Sequence, residues 1–116
     1  MRVKINKNIF EVKTLTDKKS QSIGMMGKTF DDTFDGLLFI MGGEKQCFWM
    51  KNCIVPLDII IIKNSIISKI HHNCQPCTDD DCPSYCGKGN VVLEIAGGVC
   101  KSSNIVEGDS VKFLVG

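Results

Sequence analysis

Cys74, Cys77, Cys82 and Cys86 fall within thirteen residues, spaced Cys-x2-Cys-x4-Cys-x3-Cys, directly behind the chain's two histidines, His71 and His72. Sulfur at this density serves metal binding, disulfide bonding or thiol redox chemistry. Zinc takes four thiolate or imidazole ligands in a tetrahedron, commonly from two closely spaced pairs. Cys74-x2-Cys77 and Cys82-x3-Cys86 supply two such pairs, so a structural zinc site is the leading expectation for this loop. Asp79, Asp80 and Asp81 crowd the gap between the pairs, and their charge works against four thiolates in one place. His71 or His72 is therefore the expected substitute for one sulfur.

Cys74-Gln75-Pro76-Cys77 also has the C-x-x-C form of dithiol oxidoreductases. Those enzymes acidify the first thiol at a helix N-terminus, whereas here three aspartates follow and no βαβ pattern is near. A disulfide, or thiols without a special role, complete the alternatives for the loop. Cys47, Cys53 and Cys100 sit among apolar neighbours and read as small core residues.

A second constellation is Phe48-Trp49-Met50-Lys51-Asn52 followed by Pro56-Leu57-Asp58. Asp58 opens a run whose next four residues are all isoleucine, and a buried carboxylate there needs a cation or several N–H donors. The structural expectation is that Asp58 satisfies amides of the Asn52–Pro56 turn, with Lys51 the nearest basic partner. The functional expectation is a polar pocket floored by Trp49, in which Lys51 and Asp58 contact a ligand and Glu94 joins them. Paired carboxylates can also perform acid–base chemistry. The Met25-Met26 pair between Gly24 and Gly27 reads as core, since no Gly-Lys-Ser/Thr follows to make a phosphate loop.

These residues must be positioned by a chain of 116 residues, a length suited to one domain spanning residues 1–116. The apolar share of 43% and charged share of 23% are those of a folded globule. Lysine supplies thirteen of the fourteen basic residues, as in proteins from AT-rich genomes, but the net charge is only +1. That balance lacks the basic face duplex DNA or RNA requires, and no nucleic-acid partner is expected. Met1–Lys7 has no apolar run of signal-peptide length, and Leu57–Ile62 is too short to cross a bilayer. A cytoplasmic setting without membrane attachment follows as the expectation, and there cysteine clusters more often hold metal than disulfides.

Val3–Ile5 and Ile9–Val12, joined by Asn6-Lys7-Asn8, predict an opening hairpin. Thr16-Asp17 predicts a helix start, and Gly24 to Gly27 its end. Strands are expected at Leu37–Met41, Gln46–Met50, Leu57–Ile62, Ile66–Ile70, Asn90–Ile95 and Ser110–Val115, with a helical turn between Ala96 and Asn104. Cys47–Met50 and Leu57–Ile62 are apolar at every position or nearly so, which predicts burial on two faces. Asn73–Gly89 reads as a structureless loop of about seventeen residues, ordered by its cysteines. About seven short strands with little helix predict a mainly β fold: a single-domain small β-sandwich or barrel, jelly-roll-like, with one or two short helices.

The successive blocks Ile23-Gly24-Met25-Met26-Gly27-Lys28, Gly36–Met41, Phe48–Asn52 and Pro56–Ile60 resemble the DUF192 (UPF0127) family. Asn73-x-x-Pro76-Cys77, Cys82-Pro83-Ser84-Tyr85, Val92-Leu93-Glu94 and Gly108-Asp109-x-Val111-Lys112-Phe113 follow in the family's order, so the likeness covers residues 10 to 114. The resemblance implies a compact β-rich domain found in bacteria, archaea and phages, many members of which are exported, with no established activity. It implies that Cys77 and Cys82 are family positions and would suit a Cys77–Cys82 disulfide in exported members. Cys74, Cys86 and Cys53 depart from the pattern, so a four-cysteine zinc site would be this member's own adaptation. The expected function is a non-enzymatic binding or accessory module for a protein or small-molecule ligand. The rival is a small enzyme using the C-x-x-C thiols or the Lys51/Asp58/Glu94 group.

Overall fold

Nearly every apolar run in the sequence becomes a strand, because each must bury one face or two. The computed structural model describes residues 1–115. It opens with β1 (Arg2–Ile5), β2 (Asn8–Leu15), α1 (Lys18–Ile23), β3 (Gly36–Ile40) and β4 (Lys45–Phe48). There follow β5 (Leu57–Lys63), β6 (Ile66–Cys74), β7 (Tyr85–Lys88), β8 (Val91–Ala96), α2 (Val99–Ser102) and β9 (Val111–Leu114). Seven strands form one sheet in the order β6-β5-β8-β3-β2-β1-β9, and β4 pairs with β7 in a second, two-stranded sheet.

Local chemistry explains the connections. Asn6 takes the left-handed conformation in the β1–β2 turn, and Asn64 and Ser65 do so between β5 and β6, where consecutive positive φ angles match the strand twist. Asp17 caps α1, its carboxylate accepting from the Ser20 N–H at 3.0 Å, and Gly24 ends the helix with φ of 47°. β2 and β3 run parallel, so the chain between them must cross over, and α1 lies in that crossover.

The large sheet curls until its outer strands touch. Ile66 bridges Ser110, the Ile67 N–H donates to the Asp109 carbonyl at 2.9 Å, and the Val111 N–H donates to the Ser65 carbonyl at 2.8 Å. Partial closure hides backbone groups that an open edge would expose. The expected mainly β barrel or sandwich with short helices is thus a curled, nearly closed sheet.

Strand alternation sorts the apolar residues into two cores. Inside the curl lie Val3, Ile5, Val12, Leu38, Ile60, Ile62, Ile67, Leu93, Ile95 and Val111. The opposite face carries Leu37, Phe39, Leu57, Ile59, Ile61 and Val92, covered by Met25, Phe34, Met50 and Cys53 from the connecting segments. β5 is buried on both faces from Leu57 to Ile62, which accounts for its unbroken apolar run.

Two expectations fail here. Cys47–Met50 is not buried on both sides: Cys47 is exposed and Trp49 is half exposed, because β4 belongs to the outer two-stranded sheet. Nor is Asn73–Gly89 structureless, since β7 lies within it and pairs with β4 in register Cys47 opposite Cys86. Tyr85-Cys86-Gly87-Lys88 has no strand signature in sequence. Its glycine is needed because β7 lies directly on β5 and β6: a Cβ at Gly87 would stand 2.6 Å from Ile61 Cδ1.

Candidate functional site

The four loop cysteines are not gathered into one site. Cys77 bonds Cys82, and Cys86 bonds Cys47 across the β4–β7 pair. Cys74 is a free thiol, buried, its Sγ donating to the His71 carbonyl. His71 Nε2 is 2.8 Å from the Cys86 carbonyl and braces β7 against β6, while His72 is exposed on the neighbouring stretch of β6. Among the described residues no three metal-ligating side chains converge, and sulfurs placed in this way do not fit a tetrahedral zinc site. The dithiol alternative meets a similar obstacle. Cys74 and Cys77 are not partners, and burial pushes the Cys74 thiol up to about 11, away from thiolate reactivity. Cys53 and Cys100 are buried free thiols as expected of core residues, whereas Cys47 is not one of them.

The second constellation is divided by strand register. Asp58 stands opposite Ile95 and points to the inner face of the sheet, while Ile59 stands opposite Glu94 on the outer face. Asp58 is fully buried, and its carboxylate accepts from the N–H groups of Asn73, Gly98 and Cys100 at 2.7, 3.1 and 2.8 Å. It ties β6 to the start of α2 and meets neither the Asn52–Pro56 turn nor Lys51. Lys51 instead donates to the Thr78 and Asp79 carbonyls at 3.1 and 2.5 Å and lies 3.4 Å from the Asp80 carboxylate. Its ammonium thereby holds the Cys77–Cys82 loop.

Trp49, Lys51 and Glu94 do share a cleft, of about 340 Å³, between α1 with the Gly24–Met26 segment and the stretch from Cys47 to Cys53. Phe39 and Glu94, both buried, lie at its base, and half-exposed Trp49 stands at its rim. Met25, Met26, Met41 and Phe48 add apolar wall, with the Phe48 ring edge-on to Phe39 at 4.8 Å between centroids. Backbone contacts fix the walls: Met26 bridges Cys53, and the Gly27 N–H donates to the Asn52 carbonyl at 3.0 Å. Gln21 pins α1 by donating from Nε2 to the Leu15 and Ile40 carbonyls at 3.0 and 2.8 Å.

Glu94 is the unusual group. Its side chain is buried and takes no hydrogen bond from the protein among the described residues, where no fully sealed side-chain oxygen lacks a partner, so the carboxyl opens into the cleft. Burial alone pushes the acid up to about 8, so it is largely uncharged at neutral pH. Sequence reasoning selected Trp49, Lys51 and Glu94 but missed the α1 wall, Phe39, Met41 and Phe48. The Met25-Met26 pair between two glycines was the available signal: Met25 is core as expected, and Met26 faces the cleft.

A small curled β-sheet bearing an outer two-stranded sheet, with a cleft walled largely by apolar side chains, defines the class of this protein. The chain belongs to the DUF192 family ("Uncharacterized ACR, COG1430"), whose model matches residues 1–113. It is similar to a protein of unknown function from Novosphingobium aromaticivorans DSM 12444, at 27% identity and a TM-score of 0.84, covering 97% of this chain and 84% of that one. It is also similar to a protein from Sinorhizobium meliloti 1021 described as a proposed transcription regulator, at 25% identity and a TM-score of 0.80, covering 96% and 89% of the two chains. No curated protein matches the chain.

Proposed function

We propose that this domain is a non-enzymatic binding module that holds a small, mostly apolar molecule in the cleft between α1 and the Cys47–Cys53 stretch. The observation that carries the reading is a buried carboxyl that takes no hydrogen bond from the protein and opens into a cleft walled by Met, Phe and Trp side chains. Buried polar groups are almost always hydrogen-bonded, and a buried carboxyl with no protein partner that opens into a cleft is available to a ligand there. Asp58 shows the contrast, being just as buried but held by three amides. An acid near 8 also suits proton transfer, but the cleft offers it little company for catalysis. Asp58 lies on the other face of the sheet, and burial pushes the Cys53 thiol up to about 11.

The two disulfides support an oxidising setting for the module rather than the reducing cytoplasm expected from sequence. Among the described residues no helix is long and apolar enough to cross a membrane. A role in transcription, as described for the S. meliloti protein, would have to work with a net charge of +1, a weak basis for duplex binding.

Trp49 is the chain's one tryptophan and stands at the cleft rim, so it reports occupancy directly. Titration with toluene or indole should shift its emission and move NMR signals of Met26, Met41, Phe48 and Trp49. Saturating additions that leave those signals in place, or move only distant ones, would refute the reading.

A further inference from the structure

We propose, resting on the cleft as a binding site, that its occupant is an uncharged molecule bearing a carboxamide-like group. The Glu94 carboxyl takes that group through one donated and one accepted hydrogen bond, while an apolar body fills the space between Met26, Met41, Phe48 and Trp49. A carboxylic acid presents O–H and C=O side by side, and a primary amide presents the complementary C=O and N–H. Lactams present the same neutral C=O and N–H edge and belong to the same carboxamide-like class.

The charges around the site argue against an ionic occupant. On the sheet, the residues directly opposite Glu94 are Leu37 on β3 and Ile59 on β5, neither of which titrates. Two strands away in the same row stand Lys13, its ammonium over the Phe34 ring at 4.2 Å, and His71, bonded to the Cys86 carbonyl. The cleft walls contribute Lys18 from α1, and Lys51 and Cys53 from the facing stretch. Cys74 on β6 is near enough for the Glu94 charge to act on its thiol. A cationic ligand would therefore pass Lys18 to reach an acid that burial keeps protonated, the Lys51 ammonium being turned to the Thr78 and Asp79 carbonyls. It would also have to lose its own hydration, a cost that ion pairing in an enclosed site often fails to offset. An anionic ligand would likewise have to give up its hydration to enter the cleft.

The test uses the full chain and four probes that share one ring: toluene, benzamide, benzylammonium and benzoate. Their affinities are read from NMR shifts of the cleft residues at pH 6.5. Benzamide should bind roughly three- to tenfold more tightly than toluene, the gain expected of one or two net hydrogen bonds, and more tightly than either ion. Raising the pH to 9.5 should weaken benzamide by roughly tenfold or more, because ionised Glu94 no longer donates, and leave toluene less affected. Glu94→Gln keeps a donor and an acceptor but cannot ionise, so its benzamide affinity should be flat across this pH range. Glu94→Leu should bring benzamide down to the level of toluene. Benzylammonium or benzoate as the tightest probe, or benzamide no tighter than toluene, would overturn the inference and leave the cleft reading intact. No probe shifting the cleft would sink both.

Discussion

Replacing Glu94 by Gln should make the protein more stable, by an amount that grows with pH. The acid titrates at 4.5 in an unfolded chain and at about 8 in the fold, where burial penalises the charged form. Because the folded pKa is raised, the folded state holds a proton that the unfolded state releases. The stability this group permits is fully present below pH 4.5 and is lost as pH rises through about 8. A gap of this size, at about 1.4 kcal/mol per pH unit, is worth about 5 kcal/mol once both states have titrated. A domain of this length has a total stability on the order of 5–15 kcal/mol, so the effect is large enough to measure directly. Urea denaturation of wild type and Glu94→Gln at pH 4, 7 and 9, followed by circular dichroism, isolates Glu94, because the thiols that feel its charge, Cys53 and Cys74, are pushed up to about 11, above this range. The wild-type curve should fall away from the variant's between pH 4.5 and 8, with most of the loss present by pH 7. Parallel curves would show that Glu94 is solvated or partnered, and the reasoning about its burial would be refuted.

Asp58→Asn should cost roughly 2–4 kcal/mol in the same assay, because the new amide NH2 cannot accept the N–H bonds that the carboxylate now takes. A loss under 0.5 kcal/mol would mean the three bonds are dispensable. Gly89→Ala should destabilise by about 3 kcal/mol or more, since an added Cβ would stand 2.3 Å from the Ile62 carbonyl oxygen on β5. A near-neutral result would show that β7 does not lie so close to the sheet. Thiol titration of oxidised protein unfolded without reductant should find three reactive cysteines of the seven, namely Cys53, Cys74 and Cys100. Five or seven would contradict the pairing.

Features set by neighbours in sequence were legible. The opening hairpin, the capped start of α1 at Asp17 and the Asn64-Ser65 turn each depend on a few adjacent residues, and each was found where expected. The isoleucine run of β5 announced burial on both faces. The misses share one cause, which is contact with something distant. β7 has little strand propensity and forms because β4, about forty residues earlier, offers it a partner. Cys86 therefore turns to Cys47, 39 residues away, and leaves the dense cluster that its spacing suggested. Cys77 and Cys82, five apart, were the pair that family resemblance had marked.

Three residues of the cleft, Trp49, Lys51 and Glu94, were identifiable in the sequence by type and setting, grouped there with Asp58, which lies on the other face of the sheet. Sequence by itself determined the mainly β class, the turns, and the presence of two carboxylates inside apolar strands. Only the tertiary structure decided their fates. In a strand, successive side chains face opposite ways, and the pairing of Ile59 with Glu94 sends Asp58 inward to three waiting amides and leaves Glu94 outward without a partner. A register of one residue separates a structural clamp from an open acid. It is fixed by hydrogen bonds between strands whose paired residues lie 29 to 39 apart in sequence.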